Sequence, residues 1–212
     1  MMGKPVRLGV FLSGGGTTLQ NLIDRIADGR IEGRIEFVLS SRADAYGLER
    51  AKAAGIPTLI VSSKAYRRDW DAFSEAVEAA IARYNVDLIC LAGFMCFYRV
   101  PPQRAGRVMN THPALIPAFC GQAMYGHHVY EALLERGVRF TGCTIHFVDN
   151  EYDSGPIVLQ KVVPVLPDDD AESLSARVQA AEREAFPEAI RLFGEGRLRV
   201  EGRRVRILPP TH

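Results

Sequence analysis

The run Val6–Leu12 (VRLGVFL) stops abruptly at Ser13-Gly14-Gly15-Gly16, and Leu19, Leu22, Ile23 and Ile26 then recur at helical spacing up to Gly29. A buried strand, a glycine turn and an amphipathic helix in immediate succession are the opening unit of an α/β sheet, and this constrains everything downstream. The pattern repeats. A helix around residues 45–54 is closed by Gly55, a short strand covers 58–61, and a helix over roughly 67–84 carries Trp70, Phe73, Val77, Ala80, Ile81 and Tyr84 on one stripe. Leu88-Ile89-Cys90-Leu91-Ala92 is then a buried strand ending at Gly93-Phe94-Met95. The alternation predicts a doubly wound, mostly parallel sheet.

The glycine turn offers flexible backbone beside the unpaired N–H groups and partial positive charge of a helix start, which suits an anion such as a phosphate. No Gly-Lys-Ser/Thr follows, so it is not a Walker loop. It is also a poor dinucleotide fingerprint, because Leu19 stands at the third glycine position and the second strand ends in Ser40-Ser41-Arg42 without an acid. A monophosphate site, a structural tight turn and a dinucleotide site all remain open from these residues alone.

Val108 and Met109 end another buried strand that runs into Asn110-Thr111-His112-Pro113. Asn110 and His112 are two apart, so in extended chain they share a face, and Pro113 holds His112 in extended backbone. An amide and an imidazole so arranged can bind an oxyanion and move a proton; equally, Asn can cap a turn and His can bond a carbonyl. Ligands of parallel sheets sit beyond the carboxyl ends of the strands. Residues 14–16, 93–96 and 110–112 each follow a predicted strand, so they are expected to line one crevice.

After a loop over 114–126 comes a helix from His127/His128 to Arg136, closed by Gly137. Alternating residues over 139–148 and a second strand over 156–165 predict an antiparallel pair at the far side of the sheet, joined by the acidic turn 149–155. His146 lies inside the first of these and reads as a structural or lining residue. Asp153 in the turn is the expected partner of His112; an opposite charge within about 4–6 Å raises a histidine pKa. A helix over about 171–186, continued after Pro187 to Phe193, and a hairpin over 198–207 complete one predicted domain.

The chain has 212 residues, 47% hydrophobic and 24% charged, with 26 Lys and Arg against 25 Asp and Glu. Charge so balanced gives no basic surface for nucleic acid or anionic lipid. Cys90, Cys96, Cys120 and Cys143 form no C-x-x-C pair and read as reduced thiols, and neighbouring His127 and His128 diverge on a helix, so no metal site is expected. No apolar run approaches the roughly 18 residues of a membrane helix. The start Met1-Met2-Gly3-Lys4-Pro5 leaves no room for a leader before the first strand, so a cytoplasmic protein is expected. No G-x-S-x-G elbow and no cysteine with an evident base is present, which favours direct attack by a substrate nucleophile over a covalent intermediate.

Several stretches resemble a known family. They are Ser13-Gly14-Gly15-Gly16-Thr17-Thr18-Leu19-Gln20, Ala43-Asp44-Ala45-Tyr46-Gly47-Leu48-Glu49-Arg50-Ala51, Leu91-Ala92-Gly93-Phe94-Met95 and Asn110-Thr111-His112-Pro113. His146-Phe147-Val148, Asp153-Ser154-Gly155-Pro156-Ile157-Val158-Leu159-Gln160 and Arg177-Val178-Gln179-Ala180-Ala181-Glu182 complete the set. Together they resemble the phosphoribosylglycinamide formyltransferases, the folate-dependent glycinamide ribonucleotide transformylases of purine synthesis. The resemblance implies one formyltransferase domain over 1–212, with a phosphate-binding half to about residue 100, a catalytic and folate-binding half over about 101–195, and a short tail.

It also implies roles. Asn110, His112 and Asp153 would be the catalytic trio, with His112 as acid on the formyl oxygen. Gly16, Thr17 and Thr18 would hold the ribotide phosphate, with Gln179 and Glu182 near that substrate. Arg67, Met95, Cys96, Phe97, Tyr98, Asn110, Val148 and Asn150 would contact 10-formyltetrahydrofolate, the co-substrate. The implied partners are these small molecules, with no nucleic acid or membrane, in a monomer or homodimer. Gly15 and Thr18 stand where the family often has Asn, Cys96 stands where it has Arg, and residues 119–128 form a longer segment than usual. Relatives sharing the trio are the formyltetrahydrofolate deformylases and methionyl-tRNA formyltransferases, whose extra domains have no counterpart in this sequence. A ribotide- or folate-binding module without activity is the remaining alternative.

Overall fold

In the computed structural model, which describes residues 4–210, the first apolar run forms strand β1 (Val6–Leu12) and the helical repeat forms α1 (Thr17–Ala27). The Met1–Gly3 start lies outside the described residues. Nine strands and five α-helices occur among those described: β2 (Gly33–Ser40), α2 (Gly47–Ala53), β3 (Thr58–Ile60), α3 (Trp70–Ile81), β4 (Leu88–Leu91), β5 (Val108–His112), α4 (His127–Arg136), β6 (Phe140–Phe147), β7 (Ile157–Pro164), α5 (Ala171–Gly194), β8 (Leu198–Glu201) and β9 (Arg204–Ile207). By internal contacts the chain divides into two compact units, Met1–Met109 and Asn110–His212.

In the first unit β2 and β4 flank β1 and β3 flanks β2, all parallel. Every β1 residue but Arg7 is buried, as a strand covered on both faces requires. The Phe11 ring lies 6.2 Å from Phe37, 5.4 Å from Phe94 and 5.4 Å from Tyr98. Helix α3 begins at Trp70, the first residue of its apolar stripe and three residues later than the expected start at about Arg67. Arg67 and Arg68 adopt positive φ (47° and 71°), and Asp69 caps the helix by accepting from the Ala72 N–H at 3.1 Å.

In the second unit β6 and β7 are antiparallel, with Thr144 opposite Gln160. The tail hairpin forms as expected between β8 and β9, and β9 continues the sheet by pairing in parallel with β7 at Ile157–Arg204. The β6–β7 pair is therefore bordered by the hairpin rather than standing at the edge. Helix α5 runs unbroken through Pro187, continuing past it as the sequence predicts. Proline removes one helical donor, but Ala185, Phe186, Pro187, Ala189 and Ile190 are all buried. Burying large apolar side chains at about 1.5–3 kcal/mol each outweighs one lost hydrogen bond.

Candidate active site

The glycine turn is tied to the first turn of α2. Gly47 N–H donates to Gly14 O at 3.0 Å, and the Arg50 guanidinium donates to Gly15 O at 2.9 Å. Gly16 precedes α1 with φ 71°, and a Cβ there would meet the Gly47 Cα at 2.6 Å, so only glycine fits. No side chain caps α1, its first turn carries no acid, and its first backbone bond is Gln20 N–H to Gly16 O. The N–H groups ahead of Gln20 thus have no helical acceptor. Beside them is a cavity of about 300 Å³ lined by residues 13–18 with Arg42, Ala92, Gly93 and Met95. Ser13 Oγ, 2.6 Å from Ser41 Oγ, accepts from the Met95 N–H at 2.9 Å, which draws the turns after β1 and β4 together. Arg42 pairs with Asp44 at 2.7 Å and holds that carboxyl down at about 2.

The residues expected at the folate divide by environment. Met95 and Arg67 are exposed, and Cys96 and Phe97 are half-buried. Tyr98 is buried against Phe11, and its hydroxyl donates to Glu78. Its side chain is therefore committed to the core.

In the second unit, Asn110 and His112 leave β5 on one face, as the spacing predicts, and Asp153 reaches the same point. His112 is 3% exposed. Its Nε2 is 2.8 Å from Phe119 O; a carbonyl only accepts, so Nε2 carries the proton. Nδ1 faces Asp153 Oδ2 at 3.6 Å. The same Oδ2 accepts from the Gly121 N–H at 2.9 Å. Residues 119–121 thus hold ring and carboxylate at once. Phe119 and Asp153 each take φ 50°, a conformation asparagine and aspartate tolerate better than phenylalanine.

Asp153 does raise the His112 pKa, as the sequence predicts, but the net shift is downward: burial lowers it more than Asp153 and the Phe119 carbonyl raise it. At 3.6 Å the carboxylate is beyond hydrogen-bond length, so its attraction does not offset desolvation. The resting imidazole is neutral. Burial alone would raise the Asp153 carboxyl, but His146, His112 and the Gly121 N–H together carry it below the usual range. An acid-stability prediction follows. Unfolded histidine titrates near about 6.5, so below that pH the unfolded chain binds the extra proton and stability falls. The thermal midpoint is expected to drop between about pH 7 and 5.5, and to drop less in His112→Gln. The depressed Asp153 keeps its contribution until well below that window.

His146, read from sequence as structural or lining, belongs to this cluster. Its Nδ1 is 2.9 Å from Phe147 O and so carries a proton, leaving Nε2 to accept from Asn110 Nδ2 at 3.2 Å. Nε2 is also 3.7 Å from Asp153 Oδ1. His146 thereby fixes the flip of the Asn110 amide, with Nδ2 toward its ring. The available signal was its place on β6, the strand next to β5. Val148 follows β6 half-buried and Asn150 is exposed. Gln179 and Glu182 are not drawn into the trio: the Gln179 amide donates to Ser175 Oγ at 2.9 Å, and Glu182 accepts from Thr111 Oγ1 at 2.8 Å. His128 faces Glu131 at 3.3 Å. Among the described residues no group of three His, Cys, Asp or Glu can hold a metal ion, and no helix is long and apolar enough to cross a membrane.

Comparison with known proteins bears on this arrangement. The chain is 39% identical to the trifunctional purine biosynthetic protein adenosine-3 of Bos taurus over 93% of its length, but spans only 19% of that relative. It is 38% identical to the phosphoribosylglycinamide formyltransferase of Haemophilus influenzae, covering 92% of this chain and 90% of that one. The crystal structure of glycinamide ribonucleotide transformylase 1 from Symbiobacterium toebii superposes with a TM-score of 0.90 at 48% identity, covering 98% of this chain and 96% of that one. The family model described as formyl transferase matches residues 6–190, a span that contains both the glycine turn and the Asn110–His112–Asp153 cluster, and the chain belongs to that family.

Proposed function

We propose that the protein transfers the formyl group of 10-formyltetrahydrofolate to the glycinamide amine of 5′-phosphoribosylglycinamide, a step of de novo purine biosynthesis. The observation that carries this reading is the meeting of an amide, a neutral imidazole and an ionised carboxylate in a formyl transferase chain. The backbone N–H groups of Gly16, Thr17 and Thr18 hold the ribotide phosphate, and Gln179 and Glu182 contact the same substrate. Arg67, Met95, Cys96, Phe97, the backbone of Tyr98, Asn110, Val148 and Asn150 contact the folate. The glycine-turn unit and the transfer unit serve as one catalytic domain. The enzyme works in the cytoplasm as a monomer or homodimer on these small molecules, without nucleic acid or membrane.

The substrate amine attacks the formyl carbon and the carbonyl oxygen becomes an oxyanion. One Asn110 N–H is engaged by His146 and the other is left for that oxygen. Losing such a donor typically costs about 10²–10³ in rate. The attacking nitrogen becomes cationic and must shed a proton. His112 Nδ1, unprotonated at rest, accepts it, and Asp153 supports the imidazolium beside the oxyanion. The proton then passes to the folate nitrogen as its bond to the formyl carbon breaks, and tetrahydrofolate leaves. A ring neutral in the ground state and charged only at the intermediate stabilises the transition state selectively.

The test is to incubate purified protein with 10-formyltetrahydrofolate, with and without the ribotide, and follow folate absorbance. Turnover that requires the ribotide is expected. Formyl loss without it would make the protein a deformylase, and binding of both compounds without turnover would make it a binding module.

A further inference from the structure

Thr111 stands between Asn110 and His112 on β5, and its hydroxyl donates to Glu182 Oε1 of α5 at 2.8 Å. Because a strand alternates its side chains, this hydroxyl leaves on the face opposite the two transfer residues. A glutamate has several rotatable bonds, so a ligand that needs it in one orientation must order it unless the protein already does. We infer that Thr111 is a positioning residue for substrate binding: its hydroxyl fixes one oxygen of Glu182 and so offers the other, Oε2, to a hydroxyl or N–H of the ribotide. This rests on the reading that Glu182 contacts that substrate.

The surroundings of the carboxylate give the inference a second readout. Arg183 of α5 acts on it electrostatically, the carboxylate in turn acts on Tyr130 of α4 and Cys143 of β6, and Lys161 of β7, paired with Glu184 at 2.6 Å, acts on Cys143. Burial pushes the Glu182 carboxyl up, against the opposing Thr111 hydrogen bond and Arg183 charge. Burial also pushes Tyr130 and Cys143 up to about 12, so both stay neutral near pH 7. Removing the hydroxyl takes away a bond that favours the anion, so Glu182 takes up its proton at higher pH.

The experiment compares wild type with Thr111→Val, Thr111→Ser and Glu182→Gln by steady-state kinetics against the ribotide, from about pH 5 to 8. Thr111→Val keeps the shape and is expected to raise the ribotide KM about tenfold, with kcat changed only a few fold. Its acid limb of kcat/KM should move to higher pH, and Thr111→Ser should restore both quantities. A Thr111→Val loss confined to kcat would overturn the inference, making the bond a mere brace for β5. Unchanged kinetics would overturn it too. If Glu182→Gln leaves the ribotide KM unchanged, the reading of Glu182 as a substrate contact fails, and this inference with it. A normal Thr111→Val beside an impaired Glu182→Gln sinks only the role of Thr111.

Discussion

His112→Ala is expected to lower kcat by about 10²–10⁴ while the ribotide KM moves only a few fold. The ring donates to Phe119 O through Nε2 and turns Nδ1 toward Asp153, so it is built to take a proton at one atom. The glycine turn proposed to receive the phosphate belongs to the first compact unit, and the ring to the second. Asp153→Asn should change the kinetics in the same direction. Asparagine accepts the φ of 50° at that position and keeps an oxygen for the Gly121 N–H, so the loss isolates the charge. Single-turnover and steady-state rates, together with ribotide titration, check both. Near-normal turnover with weakened ribotide binding would reverse the assignment of roles.

Gly155→Ala should be nearly as damaging, for a reason that has nothing to do with proton transfer. A Cβ at Gly155 would lie 1.9 Å from the Phe147 carbonyl oxygen, a backbone atom that cannot rotate away. The Phe147 N–H donates to Pro156 O at 2.9 Å, so the two sides of the turn are locked together. Any relief displaces the segment carrying Asp153. Overpacking of this kind costs about 1–3 kcal/mol, and in a chain of this size each kcal/mol lowers Tm by about 2–4 °C. The expected result is a Tm lower by several degrees and a kcat reduced toward that of Asp153→Asn. A normal Tm with normal kcat would mean the turn has slack that its contacts deny.

How much of this was legible beforehand depended on the range of the forces involved. The glycine turn was legible because strand, glycines and helix follow each other directly, and the shared face of Asn110 and His112 because a strand has period two. The expected start of α3 at about Arg67 lies three residues ahead of the first apolar stripe residue, Trp70; the backbone at Arg67 and Arg68 is left-handed and Asp69 does the capping. The protonation of His112 was beyond reach, since it turns on burial against a carboxylate 41 residues away and a few tenths of an ångström in separation. His146 was undervalued for the same reason: its value lies in what it does to Asn110, on another strand.

The backbone of residues 119–121 carries a last implication. Since one short stretch of main chain receives the ring's hydrogen and gives its own to the carboxylate, the distance between them is set by peptide geometry and not by mutual attraction. The side chains at Phe119 and Cys120 can vary at little cost, whereas Gly121 sits at φ 97° and inserting or deleting a single residue would detune the pair. The chemistry is thereby tuned by loop length, a dimension that drift in composition leaves alone.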